Sequence, residues 1–412
     1  MVAYDRFVLP NGLTALVHTD HSTPLVALNV LVRAGSRYDF PGSSGLAHLF
    51  EHLMFSGTEL VPDFDVPMQI AGGENNAYTN ADYASYYCYG PVENIETFLW
   101  LEYNRLTTLD ISEAKLQLEK RVVLEEYRET CLNEPFGDLW HHLLPAAYGD
   151  HPYRWPTIGE CEDDIRNISL SDVQKFRMQR YHPENMIVTL AGGIDAAEGA
   201  DLVSKWFADL SRRSETEFQY QETSLQFTSQ EILLENAVPV DAFYLAMPMP
   251  DRNHVDFVTL DLLTEILATG RSSVLYRNLI RGKSMLSQVD CYLSGALEGG
   301  LIIIEGKLAP GFDFGEVYAE IWQVIHELKN QPISKEVMAR LKNMWETTYA
   351  LSEMNILNKA MNLSYYEMLG SVDLINSEQD LYLSKTSADV MDVLAKYFRE
   401  DRVITIEYRP KK

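Results

Sequence analysis

Two stretches of this chain, SDVQKFRMQRYHPENMIVTL at 171–190 and ADVMDVLAKYFREDRVITIE at 388–407, align without a gap at an offset of 217 residues. Each opens with a polar cap (Ser169 or Ser171 in the first, Ser387 in the second), carries Asp-Val in its first turn and runs on into a β-branched strand. That offset is about half of the 412 residues, so one folding unit has been used twice. Between the copies, SRRSETEFQYQETS at 211–224 is polar and poor in apolar residues, as a linker is. The expected organisation is a first module at 1–212, a linker at 213–224 and a second module at 225–412. Strands such as 25–32 and 302–308 mix with long helical stretches instead of alternating one for one. This predicts an α+β fold of two tandem modules, each a mainly antiparallel sheet packed with helices.

The most informative segment is SGLAHLFEHLMFSG at 44–57, which follows a Pro41-Gly42 turn, with serines available as the N-cap. At about 100° per residue, Leu46, Leu49, Phe50 and Leu53 share one side of the helix and His48, Glu51 and His52 the other. His48 and His52 are four apart, so their imidazoles stand about one turn apart and can close on one tetrahedral metal ion. Glu51 lies on the opposite flank of His48 and can take a proton from a water the ion polarises without being a ligand itself. The order His-x-x-Glu-His is the inverzincin signature. With 10 histidines in the chain, independent placement yields about 0.02 such pentapeptides.

A three-ligand site needs one more donor. The helix SEAKLQLEKRVVLEEYRET at 112–130, capped by Ser112, places Glu119 and Glu126 one above the other on a stripe with Leu116, Val122, Val123 and Tyr127. Lys120, Arg121, Glu125, Arg128 and Glu129 fall off that stripe. An ionised carboxylate on a core-facing stripe is costly unless it is paired or metal-bound. Glu126 is therefore assigned as the third ligand and Glu119 as the group behind it that hydrogen-bonds a ligand imidazole. A buried pair salt-bridged to Lys or Arg fits the same pattern, and spacing does not distinguish the inner Glu from the outer.

Charge narrows the partners: 34 Lys+Arg against 60 Asp+Glu leave a net charge of −26, which repels phosphate backbones and fits either a cationic ligand or a surface that is merely kept solvated, rather than nucleic acid. No window approaches the ~18 unbroken apolar residues of a membrane span. Cys88, Cys131, Cys161 and Cys291 form no Cys-x-x-Cys pair and read as buried thiols. The N-terminus lacks an apolar leader core, so the expected compartment is the cytoplasm, or the periplasm if a leader has been removed.

These residues resemble the pitrilysin, insulinase and mitochondrial processing peptidase family of zinc metallopeptidases. The likeness rests on HLFEH at 48–52 and on EKRVVLEE at 119–126, with supporting stretches GGENNAYTNADYASYY at 72–87, HPYRWPTIGE at 151–160, LPNGLTALV at 9–17 and RSSVLYRNLIRGKSML at 271–286. It implies one Zn2+ per chain in the first module only. The chain agrees, since the 217-residue offset from HLFEH falls on Glu265-Ile-Leu-Ala-Thr269, with no histidine. The resemblance further implies that Asn76 and Ala77 hold extended peptide as an added strand, and that an Arg and a Tyr seven residues on, from a second module, face the substrate carbonyl. Arg281 matches the Arg; Gln288 stands where the Tyr would be, and Tyr292 is out of register.

The expected function is a zinc endopeptidase acting on peptides or unfolded segments, with Glu51 as general base. The expected assembly is a homodimer or a heterodimer with a paralogous subunit that supplies the Arg and Tyr. Rival readings are a non-catalytic structural subunit of a larger complex, a targeting-peptide processing peptidase, and a different zinc hydrolase such as a small-molecule lyase.

Overall fold

The computed structural model describes residues 1–212, 227–295 and 297–411. The expected linker at 213–224 lies outside these residues. The fold is α+β, and each half of the sequence contributes one sheet. The first comprises β1 (Asp5–Val8), β2 (Thr14–Thr19), β3 (Leu25–Val32), β4 (Glu74–Thr79), β5 (Ala84–Pro91) and β6 (Met186–Gly192), in the order β1-β2-β6-β3-β5-β4. The second comprises β7 (Gln230–Asn236), β8 (Ala242–Pro248), β9 (Leu286–Ser294), β10 (Leu301–Leu308) and β11 (Ile404–Pro410), in the order β7-β11-β8-β10-β9.

Apart from β1, the two orders are the same. In each sheet one pair is parallel, β2 with β6 and β7 with β11, and the others are antiparallel. The repeat extends to side-chain chemistry. Ser169 caps the helix Leu170–Arg180 in a reciprocal box with Asp172, and Thr386 caps Ser387–Tyr397 in the same box with Asp389. The cap of the second helix is thus Thr386 and not Ser387, because the residue three before the boxed Asp is the one whose hydroxyl reaches its backbone N–H.

By compactness the chain divides into two units that do not follow the contiguous split at 212. The first is Met1–Glu129, Trp155–Glu222 and Tyr349–Ser377; the second is Thr130–Arg154, Thr223–Thr348 and Glu378–Lys412. In the first unit, alternation along β3 puts Val26, Leu28 and Val30 on one face and Ala27, Asn29 and Leu31 on the other, and all except exposed-edge Leu25 are buried. The late helix Ile356–Met368 covers the second face, with Ala360 against Ala27 and Ala191, where three small side chains allow close approach. Its Ser364 hydroxyl is the hub of a buried polar cluster. Asn29 Nδ2 donates to Ser364 Oγ at 2.8 Å, Thr189 Oγ1 lies 2.8 Å from the same oxygen, and Ser364 itself donates to the Ala360 carbonyl. The second unit has its own core, in which Phe243, Leu263, Ile304, Ile321 and Phe398 are buried.

Three local expectations need correction. Cys161 is exposed, while Cys88, Cys131 and Cys291 are buried. Lys120 is buried because its ammonium donates to the Arg166 carbonyl at 2.6 Å, whereas Val122, placed on the packing stripe, is 45% exposed. No helix among the described residues is long and apolar enough to cross a membrane.

Replacing Ser364 with Ala leaves the Asn29 amide and the Thr189 hydroxyl without their buried partner. The expected cost is about 1–3 kcal/mol of stability, read as a lower urea midpoint at constant m-value.

Candidate metal centre

The helix carrying His48, Glu51 and His52 spans Leu46–Leu53, and its Leu46, Leu49, Phe50 and Leu53 are fully buried, as their spacing predicts. Its start departs from expectation: no serine caps it. The N-cap is Gly45 at φ +88°, a left-handed conformation that serine adopts poorly, and a Cβ there would also strike the Ile158 carbonyl at 2.6 Å. The cap comes instead from Asp39, whose carboxylate accepts from the backbone N–H of Gly45 and Ala47, each at 2.8 Å. Burial pushes the Asp39 carboxyl well up. Ser44 turns away and donates to Asp164.

The helix Glu113–Tyr127, capped by Ser112, packs on this one and supplies Glu119 and Glu126. His52 Nε2 is 3.4 Å from one Glu126 oxygen and His48 Nε2 is 3.8 Å from the other. A tetrahedral zinc with bonds of about 2.05 Å holds its donors about 3.3 Å apart, so these edges suit one ion. One ligand atom each from His48, His52 and Glu126 lies within 4.8 Å of the others, the one such donor set among the described residues. Glu119 stands behind, 3.7 Å from His52 Nδ1, where a carboxylate fixes the tautomer of a ligating imidazole.

The charges fit a cation. Burial pulls His48 down to about 4, and its Nδ1 has no hydrogen-bond partner among the described residues, so it carries a proton poorly. Burial also acts downward on His52, but Glu119 and Glu126 outweigh it and carry the group up to about 9. A field strong enough to hold a proton on one imidazole attracts a divalent ion to the same place. Glu126, hydrogen-bonded by His52, is held below the usual carboxylate range, and Glu51 is pushed up by burial.

A residue not singled out from the sequence orients Glu51: Thr79 donates its hydroxyl to Glu51 Oε2 at 2.5 Å. Thr79 shares a face of β4 with Ala77 and Asn75, so the alternation of that strand could have pointed to it. His48, Glu51, His52, Glu119 and Glu126 line one cleft of about 650 Å³ together with Asn76, Ala77, Phe55 and Asp65. Arg281 is exposed on the π-helix Tyr276–Gly282 in the second unit. Gln288 pairs with Lys307 across β9 and β10, and Tyr292 donates its hydroxyl to Glu305.

A doubled α+β fold with an inverted zinc motif in its first half defines a class, and comparison with known proteins gives it a family. Residues 14–160 match the model described as Insulinase (Peptidase family M16), and residues 167–344 match Peptidase M16 inactive domain. The chain belongs to this family. It is 26% identical over 413 residues to the zinc protease PqqE of Helicobacter pylori, covering 99% of this chain and 93% of that one. An uncharacterized zinc protease of Bacillus subtilis, YmxG, is 24% identical over 357 residues, or 84% of each chain. The crystal structure of a protease from Helicobacter pylori superposes with a TM-score of 0.94 at 26% identity, covering all of both chains.

Replacing Glu119 with Ala should weaken zinc binding 10–100-fold while leaving the three donors in place. Competition against a zinc chelator measures it; an unchanged affinity would remove Glu119 from the centre.

Proposed function

We propose that the chain is a zinc-dependent endopeptidase. The observation that carries this reading is the convergence of His48, His52 and Glu126 within reach of one ion, with Glu51 alongside and held by Thr79. A zinc ion bound by these three residues supplies Lewis acidity to the scissile carbonyl and to the attacking water. Glu51 takes the proton from that water on a side-chain oxygen and later delivers it to the leaving amine. Thr79 keeps the Glu51 carboxylate turned into the cleft, and Glu119 keeps the His52 ring oriented. β4 is the last strand of its sheet, so its outer backbone groups can pair with an extended peptide, and Asn76 and Ala77 lie on that strand. Backbone pairing suits peptides and unfolded segments rather than folded proteins.

The chain works as half of a pair, either with a second copy or with a paralogue. Arg281 is its contribution to a substrate carbonyl. The missing Tyr at Gln288 supports a partner that completes the donor set, since losing one oxyanion donor costs roughly 3–4 kcal/mol of transition-state stabilisation.

Replacing Glu51 with Gln should retain one zinc per chain and lower peptide cleavage by 10²-fold or more, read by mass spectrometry on a mixture of unstructured peptides. Near-normal turnover in that variant would overturn the mechanism. Cleavage absent from a zinc-loaded wild-type chain, and restored by a partner subunit, would establish the heterodimer.

A further inference from the structure

Four carboxylates line the cleft, and three have a place in the metal centre: Glu126 as ligand, Glu119 behind His52, and Glu51 beside them. The fourth, Asp65, has none. It opens the short helix Asp65–Ile70, whose first backbone N–H groups already have a partner in Asp63, which accepts from Asp65 at 3.0 Å and from Val66 at 3.4 Å. The Asp65 carboxylate is exposed and accepts one hydrogen bond, from Asn75 Nδ2 at 3.0 Å on its Oδ1. It makes no ion pair among the described residues, and no Lys or Arg is among the residues that line the cleft. A cation in the substrate would meet its charge unopposed.

Its position along the strand sets where that cation must be. Asn75, Ala77 and Thr79 share one face of β4, with Thr79 at Glu51 and Asn75 at Asp65. Four residues of strand span about 13 Å at roughly 3.3 Å each. A peptide added to the β4 edge advances at the same pitch and the same alternation. The side chain beside Asp65 is therefore about four residues from the one beside Glu51.

We infer that Asp65, held by Asn75, selects a peptide with a Lys or Arg side chain about four residues from the bond that is cut. This rests on the peptidase reading above and adds a specificity that neither the motif nor the fold assigns. The net charge of −26 draws such peptides in from a distance, while Asp65 reads the position.

The test uses the zinc-loaded full chain carrying Glu51→Gln, and short fluorescein-labelled unstructured peptides in which a single Arg is moved along a Gln background. Anisotropy measures their binding, and cleavage of the same peptides by the wild-type chain fixes the register. Arg at one position, about four residues to one side of the cut, should bind about tenfold tighter than Gln, and less so at high salt. In Glu51→Gln/Asp65→Asn the Arg-to-Gln ratio should fall to near one, and with Asp65→Lys a Glu-bearing peptide should take the lead. The zinc content of each variant reports whether its cleft is intact. Binding and cleavage that ignore the position of the Arg, or a preference that survives Asp65→Asn, would overturn the role of Asp65 and leave the peptidase reading standing. Peptides neither bound nor cut by zinc-loaded chain would overturn both.

Discussion

The helix that carries His48, Glu51 and His52 owes its position to one buried carboxylate. Asp39 reaches across a loop to take the two N–H groups at the start of Leu46–Leu53, a start that its own residues cannot cap because Gly45 is left-handed and pressed against the Ile158 carbonyl. The turn before the helix is fixed by Ser44, which donates to Asp164 and accepts from Glu160 N–H. With its entry pinned at these points and its apolar side buried, the helix has little freedom to rotate. His48 and His52 are thereby aimed at Glu126 by the fold itself, the kind of preorganisation that a metal site needs.

Much of this was legible in the sequence, for a physical reason in each case. The strand at 25–32 and the Ser112 cap were found where expected, because local pattern and capping chemistry act over a few residues. The convergence of His48, His52 and Glu126 was legible because helical periodicity converts spacing into direction: four residues bring two imidazoles together, and seven stack Glu126 over Glu119. The burial of Lys120 and the bond from Thr79 to Glu51 were not legible, because each depends on a partner brought near by the tertiary fold, and Asp39 was hidden because its capping bonds depend on the left-handed turn at Gly45. Lys120 is buried by the carbonyl of Arg166, from a different helix. The division at 212 follows the sequence repeat and says nothing of compactness, since no local signal shows that Tyr349–Ser377 joins the first unit.

The two copies of the repeat show what a fold keeps and what it lets go. Strand order and the capping box survive in both halves, since each is required by hydrogen-bond closure. The histidines survive in one only. At the matching offset Glu265 stands in place of His48 and Ala268 in place of Glu51; the Glu265 carboxyl is partly buried and pushed up by burial and by Asp261 and Asp290.

The covering of β3 and β6 by Ile356–Met368 bears on how the molecule is made. On a ribosome, the strands of the first sheet emerge long before the helix that seals their second face, so the Asn29 amide and Thr189 hydroxyl stay unsealed until about nine-tenths of the chain has been synthesised. Contacts this distant in sequence close slowly and leave apolar strand surface open to wrong partners in the meantime. The first half thus holds the whole candidate site in its sequence but is not independent in biogenesis: it reaches its sealed form only as the late helices of the second half are completed.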